Sequence, residues 1–232
     1  MMWYKNWFNQ DYLNLYSKRG EEEGDRQVDL MIELLTLNGS EKIIDLGCGA
    51  GRHCHAFASR GFDITGVDQS KELIEIAKKG PGHFIHADIL SFSMPETFDL
   101  ALSLFTSFGY FRKDDDNLKF FIKAHESLKK GGSYFLEYLH PFSVRKSLVH
   151  AETSIVKGET VTITRQIEDD TVVKRILFPG RSYEERVKLY NRTQIEKMLI
   201  QAGFDIQNVW NDYQGNPFKE EGDRQIFHAI RS

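Results

Sequence analysis

Residues 43–52 read Ile43-Ile44-Asp45-Leu46-Gly47-Cys48-Gly49-Ala50-Gly51-Arg52, and this stretch decides the fold. An apolar run opens it, and glycines at alternate positions close it. Glycine tolerates positive φ and lets bare main chain approach a ligand where a Cβ would clash. The helix expected next, over 52–60, would aim its free N–H groups at the same spot. Such a strand–turn–helix start belongs to an open α/β sheet, where ligands bind at the carboxyl ends of the strands. The spacing is G-x-G-x-G, and Arg52 stands where a dinucleotide fingerprint carries its last glycine. Asp45 ends the strand. A carboxylate there repels a pyrophosphate but can hold an ammonium group.

Downstream the chain alternates strand and helix. Strands are expected over 62–67, 83–87, 98–104 and 133–139, with helices over 70–79, capped by Ser70, and 114–130, closed by Gly131-Gly132. Upstream, Val28, Met31, Ile32 and Leu35 mark a helix over 25–37. This alternation implies a parallel sheet with right-handed crossovers, that is, a doubly wound, Rossmann-like α/β fold. After Pro141 the period changes to two, through Val161, Ile163, Val172, Ile176, Val187 and Leu189. Turns at Asp169-Asp170 and Pro179-Gly180 make this an inserted antiparallel meander. A helix from Thr193, its expected N-cap, to Ala202 and strands over 204–210 and 225–230 follow.

The chain has 232 residues, 41% of them hydrophobic, and a formal charge of −4, a balance without general attraction to nucleic-acid backbones or anionic lipid. The only two cysteines, Cys48 and Cys54, suit free thiols of a reducing compartment. No run approaches the ~20 apolar residues that span a bilayer. The N-terminal MMWYKNWFNQDY lacks the apolar stretch of a secretion signal, so a cytoplasmic protein is expected.

Further acids end the next two strands. Asp68, 17 positions after Gly51, falls where a carboxylate accepts hydrogen bonds from a ribose diol. Asp88, in His86-Ala87-Asp88-Ile89-Leu90, is placed to meet an adenine amino group, with Ile89 against the ring. On these residues the chain resembles the class I S-adenosylmethionine (SAM)-dependent methyltransferases over nearly its whole length. IIDLGCGAG is similar to their first motif, GVDQS to the acidic second-strand motif, and HADIL to the adenine motif. FDLALSLFTSFGYF and LKKGGSYFLEYL are similar to the fourth- and fifth-strand motifs of small-molecule enzymes.

That resemblance implies a seven-stranded sheet, its last strand antiparallel, and SAM as cofactor. It places Asp45, Gly47, Cys48, Gly49 and Gly51 around the methionine part, Asp68 and Gln69 on the ribose, Asp88 and Ile89 on the adenine, and Leu104 in the pocket wall. The acceptor implied is a small molecule methylated at oxygen or nitrogen. The alternatives are a tRNA or protein acceptor, a SAM-binding module without turnover, and an NAD-dependent oxidoreductase, the last disfavoured by Asp45 and the glycine spacing. Phe105-Thr106-Ser107-Phe108-Gly109-Tyr110 replaces the N-P-P-Y type motif of nucleic-acid amine methylation, which argues against base N-methylation of that type and leaves RNA or protein acceptors in other modes as the alternative. A nucleic acid is not the expected partner.

Methyl transfer from a sulfonium is an in-line displacement, so the protein mainly aligns and desolvates. A base is needed only for an acceptor that arrives protonated. His140 is the expected base, since histidine titrates near neutrality, and Tyr110 is the second catalytic candidate. Trp3, Tyr4, Trp7, Phe8, Tyr12 and Tyr16 suit an aromatic lid. Aromatic faces attract a sulfonium by ~0.5–2 kcal/mol, and Tyr16 is expected to reach the cofactor. The chain is expected to be one domain, with 1–38 as a helical lid and 142–191 as inserted strands over the acceptor site. Lys174, Arg175, Arg181, Glu184, Glu185 and Arg186 are expected on a solvated face or a homodimer surface. No metal is expected, because Arg52-His53-Cys54-His55 diverge around a helix.

Overall fold

The computed structural model describes residues 2–16 and 21–232. Residues 1 and 17–20, part of the expected lid, lie outside the described residues. Helices α1 (Tyr4–Trp7), α2 (Gln10–Leu15) and α3 (Glu21–Leu35) come first. Strands and helices then alternate through β1 (Lys42–Leu46), α4 (Arg52–Ser59), β2 (Asp63–Asp68), α5 (Lys71–Ala77), β3 (His83–His86), β4 (Phe98–Ser103), α6 (Asp114–Ser127) and β5 (Leu128–Leu139). A short α7 (Pro141–Lys146) leads into β6 (Ala151–Val156), β7 (Glu159–Glu168), β8 (Thr171–Phe178) and β9 (Arg181–Lys188). Helix α8 (Arg192–Gln201) and strands β10 (Phe204–Trp210) and β11 (Arg224–Arg231) follow.

Seven strands form one sheet in the order β10-β11-β5-β4-β1-β2-β3. Strands β1 to β5 run parallel, and β11 is antiparallel to both β5 and β10. Ile43, Ile44 and Leu46 of β1 and Leu100, Ala101 and Leu102 of β4 are buried, as strands covered by helices on both faces must be. One face packs Tyr134 and Leu136 against Phe120, Phe121, Ile195 and Leu199. The other packs Phe135 and Ile226 against Val28, Met31 and Phe57. The chain winds outward from β1 through β2 to β3, then crosses back to β4 on the other side of β1. The crevice at that reversal, beyond the strand carboxyl ends, is where ligands bind in open α/β sheets.

The remaining strands form a four-stranded antiparallel sheet, β6-β7-β8-β9. Its inner face buries Val161, Ile163, Ile176 and Phe178 around Trp7 of α1, which is fully buried. Truncating an aromatic so enclosed costs roughly 3–5 kcal/mol.

Four details differ from the sequence expectations. Helix α6 stops at Ser127 rather than residue 130, because Leu128 enters the sheet opposite Phe98 and the next pair is Leu100 with Ser133. Gly131 (φ +77°) therefore sits in a bulge of the strand instead of closing a helix. Helix α7 was not expected. Its signal is His140-Pro141, a side-chain cap followed by proline at a first-turn position. Helix α8 is capped by Asn191 instead of Thr193. Asn191 accepts from the Gln194 N–H, and the Gln194 side chain accepts from the Asn191 N–H in a reciprocal box. Finally, Lys174, Arg181 and Glu185 do not stand on a solvated face: they grip the N-terminal helices.

Candidate active site

A cavity of about 290 Å³ opens at the β1–β4 crevice. Its floor is the glycine turn. The Gly47 and Cys48 N–H groups donate to the Val67 carbonyl at 2.8 and 3.1 Å, tying the turn to β2. Gly47 has φ +90°, and a Cβ there would lie 2.5 Å from Ser107 Cβ, so the turn and the loop after β4 meet closely only because residue 47 is bare. Gly49 (φ +56°) leaves its Cβ direction open, with only Leu73 Cδ1 at 3.9 Å. Gly51 differs: a Cβ there would meet His55, Phe84 and Ala77 at about 3 Å. It serves helix–strand packing and is not part of the lining.

Three carboxylates line the cavity from successive strand ends: Asp45, Asp68 and Asp88. Asp45 is 2% exposed. Its Oδ2 accepts from the Cys54 thiol at 3.7 Å, and its Oδ1 has no hydrogen-bond partner. Burial, reinforced by the nearby Asp68 charge, pushes its pKa up to about 7. Asp68 accepts from the Gly49 N–H (2.9 Å) and the Ser70 N–H (2.8 Å), locking the turn to the start of α5. Burial raises its pKa as well. Asp88 is exposed and accepts from the Leu90 N–H at 3.0 Å.

The roof is aromatic. Tyr4, Phe8, Tyr12 and Tyr16 of the N-terminal segment and Tyr110 of the loop after β4 all line the cavity. Their rings form a chain: Phe8–Tyr12 at 5.0 Å, Tyr12–Tyr16 at 4.8 Å, Phe8–Tyr110 at 6.0 Å and Tyr4–Tyr110 at 6.3 Å between centroids. The segment is pinned at both ends. Ser70 Oγ donates to the Phe8 carbonyl at 2.6 Å. On the meander side, Trp7 Nε1 and the Tyr16 hydroxyl both donate to Glu185 Oε1, at 2.6 and 2.7 Å. Lys174 also reaches the Tyr16 hydroxyl. Arg181 holds Asp11 through two bonds of 2.6 and 2.8 Å, the bidentate geometry guanidinium favours.

Of the residues expected from sequence, Asp45, Gly47, Cys48, Gly49, Asp68, Gln69, Asp88, Ile89, Leu104, Tyr16 and Tyr110 share this one cavity. His140 does not. It is 4% exposed and caps α7, with Nδ1 accepting from the Phe142 N–H at 3.2 Å and Nε2 3.0 Å from the Lys219 carbonyl. Both ring nitrogens are committed to main chain, which leaves no lone pair for a substrate proton. Its place before Pro141 reflects a cap rather than a base.

The cavity also contains residues that received no role from sequence, chiefly Arg52, His53 and Phe105. The Arg52 guanidinium lies 4.5 Å from the Phe105 ring centre. His53 lies 2.8 Å from Gln27 Oε1 of α3, and burial together with the Arg52 charge brings its pKa down to about 3. It is a neutral imidazole at physiological pH. Arg52 could have been suspected from its place at the end of the glycine run. His53 could not, because its partner lies 26 positions away. Among the described residues no helix is long and apolar enough to cross a membrane, and no cluster of His, Cys, Asp or Glu could hold a metal ion.

Residues 43–132 match the family model described as a methyltransferase domain. The chain is 23% identical over 230 residues to glycine/sarcosine N-methyltransferase of Aphanothece halophytica, covering 94% of this chain and 85% of that one. It is 21% identical over 182 residues to the dTDP-3-amino-3,4,6-trideoxy-alpha-D-glucopyranose N,N-dimethyltransferase of Streptomyces venezuelae, covering 72% and 77%. A SAM-dependent methyltransferase from Clostridium acetobutylicum ATCC 824 superposes with a TM-score of 0.80 at 19% identity, over 94% of this chain and 95% of that one. These matches show a methyltransferase domain over residues 43–132, and the glycine turn, the acids at three successive strand ends and the antiparallel last strand belong to a chain that shares the fold of SAM-dependent methyltransferases.

Proposed function

We propose that this protein transfers a methyl group from SAM to a nitrogen of a small-molecule acceptor held under the aromatic roof. One observation carries the reading: a buried carboxylate, Asp45, keeps an oxygen without a protein partner in the cavity that the bare main chain of Gly49 also lines. Buried polar atoms find partners, and the α-ammonium of SAM is the complementary one. Arg52, on the same side of the cavity, would take the cofactor carboxylate. Asp68 and Gln69 would hold the ribose diol, Asp88 and Ile89 the adenine, and Cys48 and Leu104 would line the cofactor's path. Tyr16 and the neighbouring aromatic faces would surround the sulfonium.

When bound, SAM supplies the electrophilic methyl. The chain's own residues exclude water and align the acceptor. The lining residues favour nitrogen. His53 cannot take up a proton near neutrality, His140 lies elsewhere, and Asp45 is assigned to the cofactor ammonium. An aliphatic hydroxyl then lacks a base in the transfer step, whereas an amine can enter as its neutral fraction, its proton already lost to water, and bring its own lone pair. Tyr110, on the loop after β4, would contact the acceptor. The relatives named above methylate amines by their names, in keeping with this choice.

We read the whole chain as one domain: the segment 1–38 is its lid, and the insertion 142–191 closes the acceptor side by holding that lid. The outer charges of the meander pair with one another, Arg175 with Glu184 and Arg186 with Glu168, which suits a solvated face better than a homodimer or nucleic-acid surface. The two free thiols fit the cytoplasm. The test is calorimetry with SAM and S-adenosylhomocysteine, then S-adenosylhomocysteine release against matched panels of primary amines and phenols. Micromolar binding and turnover with amines are expected. A protein that binds neither cofactor form overturns the reading, and turnover with hydroxyl acceptors alone overturns the choice of nitrogen.

A further inference from the structure

The loop that follows β4 carries two consecutive non-glycine residues in the left-handed region, Phe105 (φ +55°) and Thr106 (φ +66°). Each such residue costs of order 1 kcal/mol or more, and a β-branched residue such as Thr is especially disfavoured there. Strain of this kind persists only where surrounding groups fix it. Here the surroundings are specific. The Phe105 N–H donates to Glu137 Oε2 at 3.1 Å. Glu137, on β5, is 2% exposed. The same oxygen accepts from the Tyr213 hydroxyl at 2.9 Å, and Arg224 Nε lies 3.4 Å from Oε1. The Phe105 ring in turn lies near two guanidiniums, Arg52 at 4.5 Å and Arg224 at 5.9 Å from its centre. Phe105 and Ser107 both face the cavity, and Ser107 presses on Gly47.

Glu137 has no place in the cavity lining, yet it accepts from the main-chain N–H of the first residue of the strained pair. The β4–β5 ladder ends at Ser103 opposite Leu136, two residues before Phe105, so the strand pairing does not do this work. A buried carboxylate is an expensive way to satisfy one N–H, and the neighbours it collects, a tyrosine hydroxyl and an arginine, are the groups that make it tolerable.

We propose that Glu137 is a positioning residue for methyl transfer: it clamps the left-handed Phe105–Thr106 pair and so sets the cavity wall that the cofactor and acceptor share. This rests on the reading of the cavity as the SAM site. Glu137→Ala would free the Phe105 N–H and let the pair relax to ordinary φ, moving Phe105 and Ser107 out of register with Gly47. Glu137→Gln keeps a carbonyl oxygen for the same N–H.

The experiment measures S-adenosylhomocysteine dissociation constants by calorimetry for wild type, E137A, E137Q and the double variant E137A/T106G, with circular dichroism to confirm folding. Wild-type binding tests the site itself, and the variants are read only relative to it, so the two failures are distinguishable. E137A should bind about tenfold more weakly, as expected for loss of a hydrogen bond to a charged group. E137Q should stay within about threefold of wild type, and glycine at 106, which occupies positive φ without strain, should recover most of the loss. A role confined to stability would lower the melting temperature without this rescue. A folded E137A that binds like wild type overturns the proposal, and so does a double variant no better than E137A. Should E137A fail to fold, amide exchange at Phe105 in E137Q and wild type decides. Strong protection in both supports the clamp, and a Phe105 amide that exchanges freely in the wild type overturns it.

Discussion

Replacing Asp45 with Asn should make the ligand-free protein more stable and the cofactor complex weaker. Asp45 is buried, its pKa is raised from 3.8 to about 7, and burial is the main cause. Its folded pKa lies above the unfolded one, so its contribution favours folding in acid and is lost as pH rises from about 4 through 7. At pH 8 the folded protein carries the charge against a penalty of about 4 kcal/mol, at 1.36 kcal/mol for each pKa unit. Asn removes that penalty and leaves an amide donor facing the cavity, which costs about 1–3 kcal/mol if it stays unpaired. The net gain is about 1–3 kcal/mol, or roughly 2–12 °C in melting temperature for a chain of this size. Binding moves the other way. Loss of the ammonium's charged partner costs about 1.5–3 kcal/mol, a weakening of about 10- to 150-fold. Wild-type affinity should also fall by up to about tenfold per pH unit below pH 7, because the ammonium selects the ionised acid, and the Asn variant should lose that slope. Scanning fluorimetry at pH 8 and calorimetry from pH 5.5 to 8 measure both effects. An Asn variant that melts lower at pH 8 without ligand, or binds S-adenosylhomocysteine as wild type does, refutes the reasoning.

Asp68→Ala should weaken S-adenosylhomocysteine by about 1.5–3 kcal/mol in calorimetry, and an unchanged affinity removes the ribose assignment. His140→Ala should cost about 0.5–2 kcal/mol of stability through the lost cap and leave cofactor affinity and turnover intact. Full loss of turnover in a folded variant would restore His140 as a candidate base. Arg181→Ala frees Asp11 and Glu159 of their shared partner. Limited proteolysis should then cut the N-terminal segment faster, while the melting temperature falls only slightly, since exposed ion pairs contribute less than about 1 kcal/mol.

The strand alternation and the glycine turn made the main sheet readable from sequence, because a buried parallel strand leaves a short apolar run and its turn leaves bare glycines. The acids at 45, 68 and 88 were readable for the same reason: each ends such a run, so its direction relative to the crevice was fixed once the strand was. What escaped was everything decided by partners distant in the chain. His53 needs Gln27 of α3 to be understood, Glu137 needs the Phe105 amide and Tyr213, and Lys174 and Glu185 need the N-terminal aromatics. Gly51 shares the spacing of its neighbours, but only the fold shows that the space a Cβ would need there is taken by His55, Phe84 and Ala77. The end of α6 was misread because a glycine pair looks the same in a strand bulge as at a helix terminus.

The contacts of Trp7, Asp11 and Tyr16 with Glu185, Arg181 and Lys174 constrain how this enzyme can be recombined with its relatives. A chimaera that imports strands β6–β9 alone would set foreign side chains against the native Trp7 and Asp11. One that imports residues 2–16 alone would strand Glu185 and Arg181. The two segments lie more than a hundred positions apart in sequence, yet they form one transplantable cassette, and crossovers that move them together are the ones expected to yield folded proteins with altered acceptor preference.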